Sequence, residues 1–313
     1  MTAKTSPEVI VGAGLAGLLA AHAWPGILLF ERGSARPSHR ALLRFRSEEV
    51  SRLTGIEFRR VLVRKGIWSD GEFVQPSIAI ANSYTLKVNG RIYGDRSIWN
   101  IEPVERYIAP PTFYEQMLDA VGSRIYWQHP FSFSSAPLNT VIVSTAPLPV
   151  TMDAVCIPLS TLPPFRRAAI ATVRIRLRDV HAHQTVYFPD EGLALYRASI
   201  TDDTFILEFA GAPEDEEVDR GIEEACAAFG VSPLLLGEVE RGSQEFGKIE
   251  PLADAARKAT LYQLTTQRSI YSLGRFATWR NILLDDVVKD IAVIKRLIRA
   301  SPYDQGRIAS SAR

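Results

Sequence analysis

The sequence predicts an α/β fold in which a parallel strand–helix–strand scaffold is interrupted by an inserted antiparallel sheet. Three observations carry this. A β-branched run, Glu8-Val9-Ile10-Val11, meets a glycine-rich turn and a helix-forming stretch. Runs of alternating apolar and polar residues crowd the middle of the chain. A strand, a Gly-Arg loop and an amphipathic helix close it.

The elements follow in order. Glu8–Val11 suits a buried parallel strand, Leu15–Trp24 a helix stopped by Pro25-Gly26, and Ile27–Phe30 a second strand, giving a compact βαβ unit. Thr140–Pro147 reads as a third buried strand, ending in a turn at Ala146-Pro147. Ala168–Val180 alternates apolar and basic residues in its second half, as an antiparallel strand with one wet face does. Thr185–Phe188, Leu193–Ile200 and Thr204–Phe209 extend that sheet. Val218–Phe229 and Leu252–Thr260 have helical composition, Ser269–Leu273 is a strand, and Asp285–Arg299 is a long amphipathic helix before a polar tail, 301–313. The expected division is 1–150 for the first part of the scaffold, with room for an insertion within 60–110. Residues 151–262 form mainly the inserted sheet, and 263–300 the return.

The bulk numbers fit a folded globular chain. Its 313 residues are 46% hydrophobic and 23% charged, which excludes a disordered chain and allows a core without disulfides. Cys156 and Cys226 are the two cysteines and form no CxxC pair, which suits a reducing compartment. Val9–Phe30 is nearly all apolar, but glycines, His22 and Pro25 interrupt it and Glu31 ends it. That pattern belongs to a buried strand–turn–helix–strand, so a soluble, cytoplasmic protein is expected, without a membrane span.

The chemistry begins at Gly12-Ala13-Gly14-Leu15-Ala16-Gly17. Gly12 permits a tight turn, Gly14 lets backbone approach a pyrophosphate, and Gly17 lets the helix pack on the strand. The helix N-terminus offers amides and a positive dipole to the anion. Glu31, ending the next strand, would accept the ribose hydroxyls of an adenosine, and Arg32 beside it departs from the simplest NAD pattern.

Net charge is +1, unevenly spread. Arginines and one lysine crowd Arg36–Lys65, whereas Asp202–Asp219 is acidic. Each run reads either as a solvated face or, for the basic one, as a patch drawing an anionic substrate. His181 and His183 lack companion ligands, so no metal site is expected. No nucleophile–His–Asp arrangement and no Walker-type lysine is recognisable.

Val141–Pro149, a hydrophobic strand running into Thr145-Ala146-Pro147, and Ile270–Trp279 followed by Asp285-Asp286-Val287-Val288 resemble two motifs of the FAD-dependent amine-oxidase-like superfamily. That group includes amine oxidases, protoporphyrinogen oxidases and UDP-galactopyranose mutases. With the glycine loop, three motifs in the superfamily's order span nearly the whole chain. The resemblance implies a Rossmann-like FAD-binding fold with an inserted antiparallel-sheet substrate domain, and FAD as cofactor. It places Gly12, Ala13, Gly14, Leu15, Ala16, Gly17, Glu31 and Arg32 at the adenosine diphosphate end. Gly274, Arg275, Trp279, Asp286 and Val287 fall at the flavin end, where the last helix would aim amides at the ring. Arg40–Ser47 matches a loop and helix running along FAD, so Arg44 or Arg46 could reach a ribose or phosphate. Thr185–Asp190 and Tyr196–Ser199 are similar to the sheet that faces the flavin. This makes Tyr187 and Arg197, with Lys248 from Phe246–Pro251, the expected catalytic or substrate-touching residues. Core aromatics and exposed cations are the plainer alternatives.

The implied reaction is oxidation of a C–N bond of an amine or amino-acid-type substrate, with a net lyase outcome allowed. Two stretches, His39–Lys65 and Arg96–Pro111, resemble phage-encoded flavoproteins of thymine hypermodification. That implies a glycine-modified thymine in DNA as substrate, DNA as partner and the host cytoplasm as location. Alternatives left open are a redox-neutral flavin-dependent sugar-nucleotide mutase and a non-catalytic FAD- or nucleotide-binding protein. Oligomeric state is not encoded in any motif.

Overall fold

A computed structural model describes residues 5–34, 44–92, 98–158 and 164–300. In chain order the elements are β1 (Val9–Val11), α1 (Leu15–Ala23), β2 (Leu28–Phe30), β3 (Arg44–Phe45), α2 (Glu49–Thr54), β4 (Arg59–Ser69), β5 (Glu72–Phe73) and α3 (Ile78–Asn89). Next come β6 (Val104–Ile108), α4 (Phe113–Val121), β7 (Ile125–Tyr126), β8 (Ile142–Ser144), α5 (Leu148–Ala154), β9 (Arg167–Leu177), β10 (Ala182–Tyr187) and β11 (Leu195–Asp202). The chain ends with β12 (Thr204–Ala210), α6 (Asp215–Phe229), β13 (Leu236–Ile249), α7 (Asp254–Arg268), β14 (Ile270–Ser272) and α8 (Leu284–Arg299). Two compact units result. One is Met1–Arg59, Tyr107–Phe165 and Glu250–Arg313; the other is Arg60–Arg106 and Arg166–Ile249.

The first unit is built on a parallel sheet in the order β14-β8-β1-β2-β7. Its central strands β1 and β8 are short, rich in Val and Ile, and mostly buried. Ile10, Leu29, Val143 and Tyr271 share a core with α1, α4 and α8. Leu18, Leu19, Ala20 and Ala21 of α1 are all 0% exposed, which explains a helix apolar nearly all round. Helix α8 instead buries one stripe, Val287, Ile291, Ile294 and Ile298, spaced to fall on one side of a 3.6-residue turn.

The second unit orders its strands β13-β9-β12-β11-β10-β4, antiparallel except where β10 meets β4. One face of this sheet packs Ile175, Phe205, Leu207 and Phe209 under α6. On the other face Ile67, Ile170 and Tyr196 cluster with Ala81 and Tyr84 of α3.

Some elements depart from the sequence reading. Arg44–Phe45 forms a strand against Tyr107–Ile108 rather than a helix, because Phe45 stacks into Phe58 and Phe113 and helix begins only at Glu49. The basic stretch 59–69 is an eleven-residue strand, and 236–249 a fourteen-residue one. Residues 35–43 and 93–97, including Arg36, Arg40 and Arg96, lie outside the described residues.

Candidate functional site

The carboxyl ends of β1, β8 and β14 lie side by side in the parallel sheet, the edge at which open α/β sheets take ligands. Leaving β1, Gly12 turns at φ +96°, and a Cβ there would sit 2.3 Å from Thr145 Oγ1. Thr145, just past β8, donates its hydroxyl to Val11 O at 2.8 Å and so closes the turn from beneath. A Cβ on Gly17 would come within 1.8 Å of Gly12 O, so helix and turn touch backbone to backbone. Gly14 differs: it is exposed, and an added Cβ would meet nothing within 4 Å. It is also the N-cap of α1, and among the described residues no side chain caps the helix amides.

Glu31 is the second part of this cradle. Its Oε2 accepts from Ala13 N and its Oε1 from Gly33 N, each at 2.8 Å, tying the glycine turn to the end of β2. Each oxygen keeps a further lone pair for a hydroxyl. Arg32 is exposed beside it.

The return loop after β14 is locked to the same cradle. Gly274, at φ +95°, lies so close to α1 that a Cβ would be 2.8 Å from Ala16 Cβ. Thr278 donates both N–H and hydroxyl to Gly274 O, and Leu148 N donates to Phe276 O, joining the loop to the start of α5. Arg275 lies over the Phe276 ring, 5.5 Å from its centroid, and reaches Asn281. The two glycine loops, distant in sequence, thus meet.

Several expected contacts take other roles. Trp279 is 0% exposed, stacks edge-on against Phe165 and donates its indole N–H to Glu250 O at 2.9 Å, so it anchors the loop and has no surface to offer a cofactor. Val287 is buried in the α8 stripe. Asp286 accepts from Leu283 N at 3.0 Å and pairs with Arg46. Asp285, missed from sequence, is 1% exposed and accepts from Arg46 N, Ser47 N and Ser47 Oγ. Two carboxylates in its first turn, Asp285 and Asp286, interact favourably with the positive end of α8. Arg44 belongs to β3, half-buried.

In the second unit Tyr187 and Arg197 are direct cross-strand neighbours, and Arg197 opposes Glu208. Arg197 gives Nε and Nη2 to the two Glu208 oxygens, and Tyr196 donates its hydroxyl to Glu208 Oε1 at 3.1 Å. Lys248 Nζ sits 4.8 Å above the Tyr196 ring. Burial pulls the Glu208 carboxyl upward, but the Arg197 charge and hydrogen bonds outweigh it and hold Glu208 below its ordinary range. Burial and the Glu208 charge together push the Tyr196 phenol well up. Glu208 looked like one more member of an acidic run; its alternation with Phe205, Leu207 and Phe209 was the available signal that it faces away from the α6 side. Four other members of that run are paired. Asp203 meets Arg176, Asp202 meets His183, and Asp215 and Asp219 meet Arg241.

The basic run is partly neutralised as well, through Arg46–Asp286, Arg52–Glu48 and Arg60–Glu105. Among the described residues no three His, Cys, Asp or Glu side chains group as metal ligands, and no helix is long and apolar enough to cross a membrane.

No family model matches the chain, and no curated protein matches it. Solved structures do. A reduced UDP-galactopyranose mutase superposes with a TM-score of 0.69 at 14% identity, covering 96% of this chain and 95% of that one. A protoporphyrinogen oxidase-like protein from an Exiguobacterium species gives 0.64 at 12%, covering 96% and 100%. A CLA-producing fatty acid isomerase from P. acnes gives 0.58 at 12%, with the same coverage. The chain therefore has the α/β fold of these proteins along nearly its whole length, parallel sheet and second sheet together.

Proposed function

We propose that the chain is an FAD-dependent flavoenzyme of the oxidoreductase class, acting on a C–N bond of an amine or amino-acid-type substrate. The observation that carries this is the meeting of the Gly12–Gly17 turn, Thr145 and the Gly274 loop at the carboxyl edge of the parallel sheet. The cradle fits such a group. Gly14 leaves space where a pyrophosphate would approach, no side chain among the described residues caps the α1 amides, and Glu31 is already fixed with lone pairs to spare. Gly12–Gly17 would hold the pyrophosphate, Glu31 the ribose, and Gly274-Arg275 the flavin side. Bound, the flavin would supply the hydride acceptor. The fold shared with an oxidase-like protein, a mutase and an isomerase supports an enzyme of this kind.

The finer reading is a glycine-modified thymine in phage DNA as substrate. It draws support from the cations of residues 44–65, although ion pairs offset several of them. The deciding experiment is an absorbance spectrum of the purified chain, followed by anaerobic titration. Flavin bands bleached by an amino-acid-modified thymidine or a simple amine are the expected result. A colourless chain that cannot be reconstituted with FAD refutes the flavoenzyme. Turnover of UDP-sugars only after dithionite reduction replaces the oxidoreductase with a mutase.

A further inference from the structure

Seven non-glycine residues among those described take a left-handed backbone, and six of them are Asp, Gln, Cys or Ser. The seventh is Trp279, at φ +47° and 0% exposed. Bulky side chains avoid this region, where Cβ crowds the following carbonyl, and glycine or asparagine is the usual choice. The turn itself calls for such a residue. Thr278 N–H returns to Gly274 O and Arg280 N–H to Arg275 O, each at 3.0 Å, the pattern that closes a helical turn through one left-handed position. Glycine at 279 would satisfy that turn without strain. A tryptophan there is explained by what its side chain reaches.

It reaches two places at once. The ring meets Phe165 edge-on, with 4.9 Å between centroids, and the indole N–H donates to Glu250 O at 2.9 Å. Phe165 is the last residue of the first unit before the chain runs into β9, and Glu250 is the first after β13. At that end β9 and β13 are paired, Arg167 opposite Ile249. The neighbours of Trp279 are pinned as well. Thr278 Oγ1 donates to Gly274 O and accepts from Arg280 Nε, while Arg280 pairs with Asp290 of α8. A strained backbone persists only where its surroundings over-determine it, and such places gather at functional sites. We infer that Trp279 is a positioning residue for the flavin end of the cofactor: from behind the loop it holds Gly274 and Arg275 in the shape that receives the flavin. The inference rests on the flavoenzyme reading and adds the residue that sets the loop.

The test is isothermal titration of the full-length chain, stripped of any bound flavin, with FAD and, in a second arm, with ADP. ADP carries only the part that Gly12–Gly17 and Glu31 would hold. A defect in positioning the 274–279 loop therefore weakens FAD and spares ADP, whereas general loosening moves both or neither. Trp279→Phe keeps a ring against Phe165 and loses the indole N–H; about tenfold weaker FAD binding is expected, with ADP unchanged and the visible band of the bound flavin altered. Phe165→Leu removes the ring partner, leaves the loop sequence intact and should weaken FAD about threefold. Trp279→Gly relieves the backbone, so a turn that needed only its shape would then hold FAD at least as well as wild type. A loss of about tenfold or more is expected instead, and if that chain fails to melt cooperatively the other two variants decide. Wild-type FAD affinity in a folded Trp279→Phe chain, or losses of FAD and ADP in equal measure, overturns this inference and leaves the flavoenzyme standing. A wild-type chain that takes ADP but refuses FAD overturns the flavoenzyme reading, and the role of Trp279 with it.

Discussion

Gly14 and Gly17 stand three residues apart and make opposite demands on a methyl group. Gly17→Ala would drive Cβ into Gly12 O, so backbone must move; a loss above about 3 kcal/mol, seen as insoluble or early-melting protein, is expected. Gly14→Ala meets open space, so the melting curve should shift by less than about 0.5 kcal/mol while FAD retention falls sharply. A Gly14→Ala chain that keeps its flavin would remove the pyrophosphate from this turn. Lys87 poses a different problem of single-residue scale. Its ammonium donates to Phe188 O, Asp190 O and Leu195 O at 2.6–2.8 Å, using all three protons to tie α3 to the β10–β11 connection. Burial nevertheless pushes its pKa down to about 7, with Asp190 pulling the other way. The unfolded lysine holds its proton to about 10.4, so between those values the unfolded chain binds more protons. This group's contribution therefore makes stability rise as pH climbs from about 7 toward 10, and it is flat below. Urea melts of wild type and Lys87→Met across that range should differ in slope; parallel curves would contradict the depressed value.

Helix α8 and strand β3 show what one element asks of another. The first turn of α8 offers Asp285 to three donors of the Arg46-Ser47 turn, and Asp286 to Arg46 on the wetter side. Asp285→Ala would leave buried donors without acceptors and should cost about 3 kcal/mol, whereas Asp286→Ala, losing a partly exposed pair, should cost under about 1 kcal/mol in the same denaturation series. Equal losses would show that burial is not what separates the two carboxylates. Such pairings explain where sequence reading stops. The β1–α1–β2 unit was legible because its glycines, apolar runs and Glu31 act locally, and the strands 9–11 and 270–272 were placed within one residue at either end, 142–144 within three. Strand β4 was not, because its arginines made 59–69 look like a charged patch, while the alternation that buries Val63 and Ile67 is broken by Gly66. Trp279 owes its place to tertiary packing that the sequence does not display. An aromatic beside Gly-Arg looks like a ring for a flavin, and only the folded chain shows it filled against Phe165 and Glu250.

At the scale of the whole chain, the cradle is assembled from residues no local signal connects. The first unit takes its chain from three separate segments, and each contributes a strand whose carboxyl end reaches the glycine turn. Thr145 holds Gly12 from the second segment, and Gly274 touches Ala16 from the third. A ligand stabilises only the state that binds it, so FAD should protect all three together in amide hydrogen exchange. The expected result is slower exchange over residues 12–17, 144–148 and 273–280 in one titration with one apparent affinity. Ala13 should be the exception in size, since its N–H is already held by Glu31 without ligand. Protection confined to 12–17 would mean a dinucleotide held by the turn alone, and would take Gly274 and Arg275 out of the cofactor site while leaving the fold untouched.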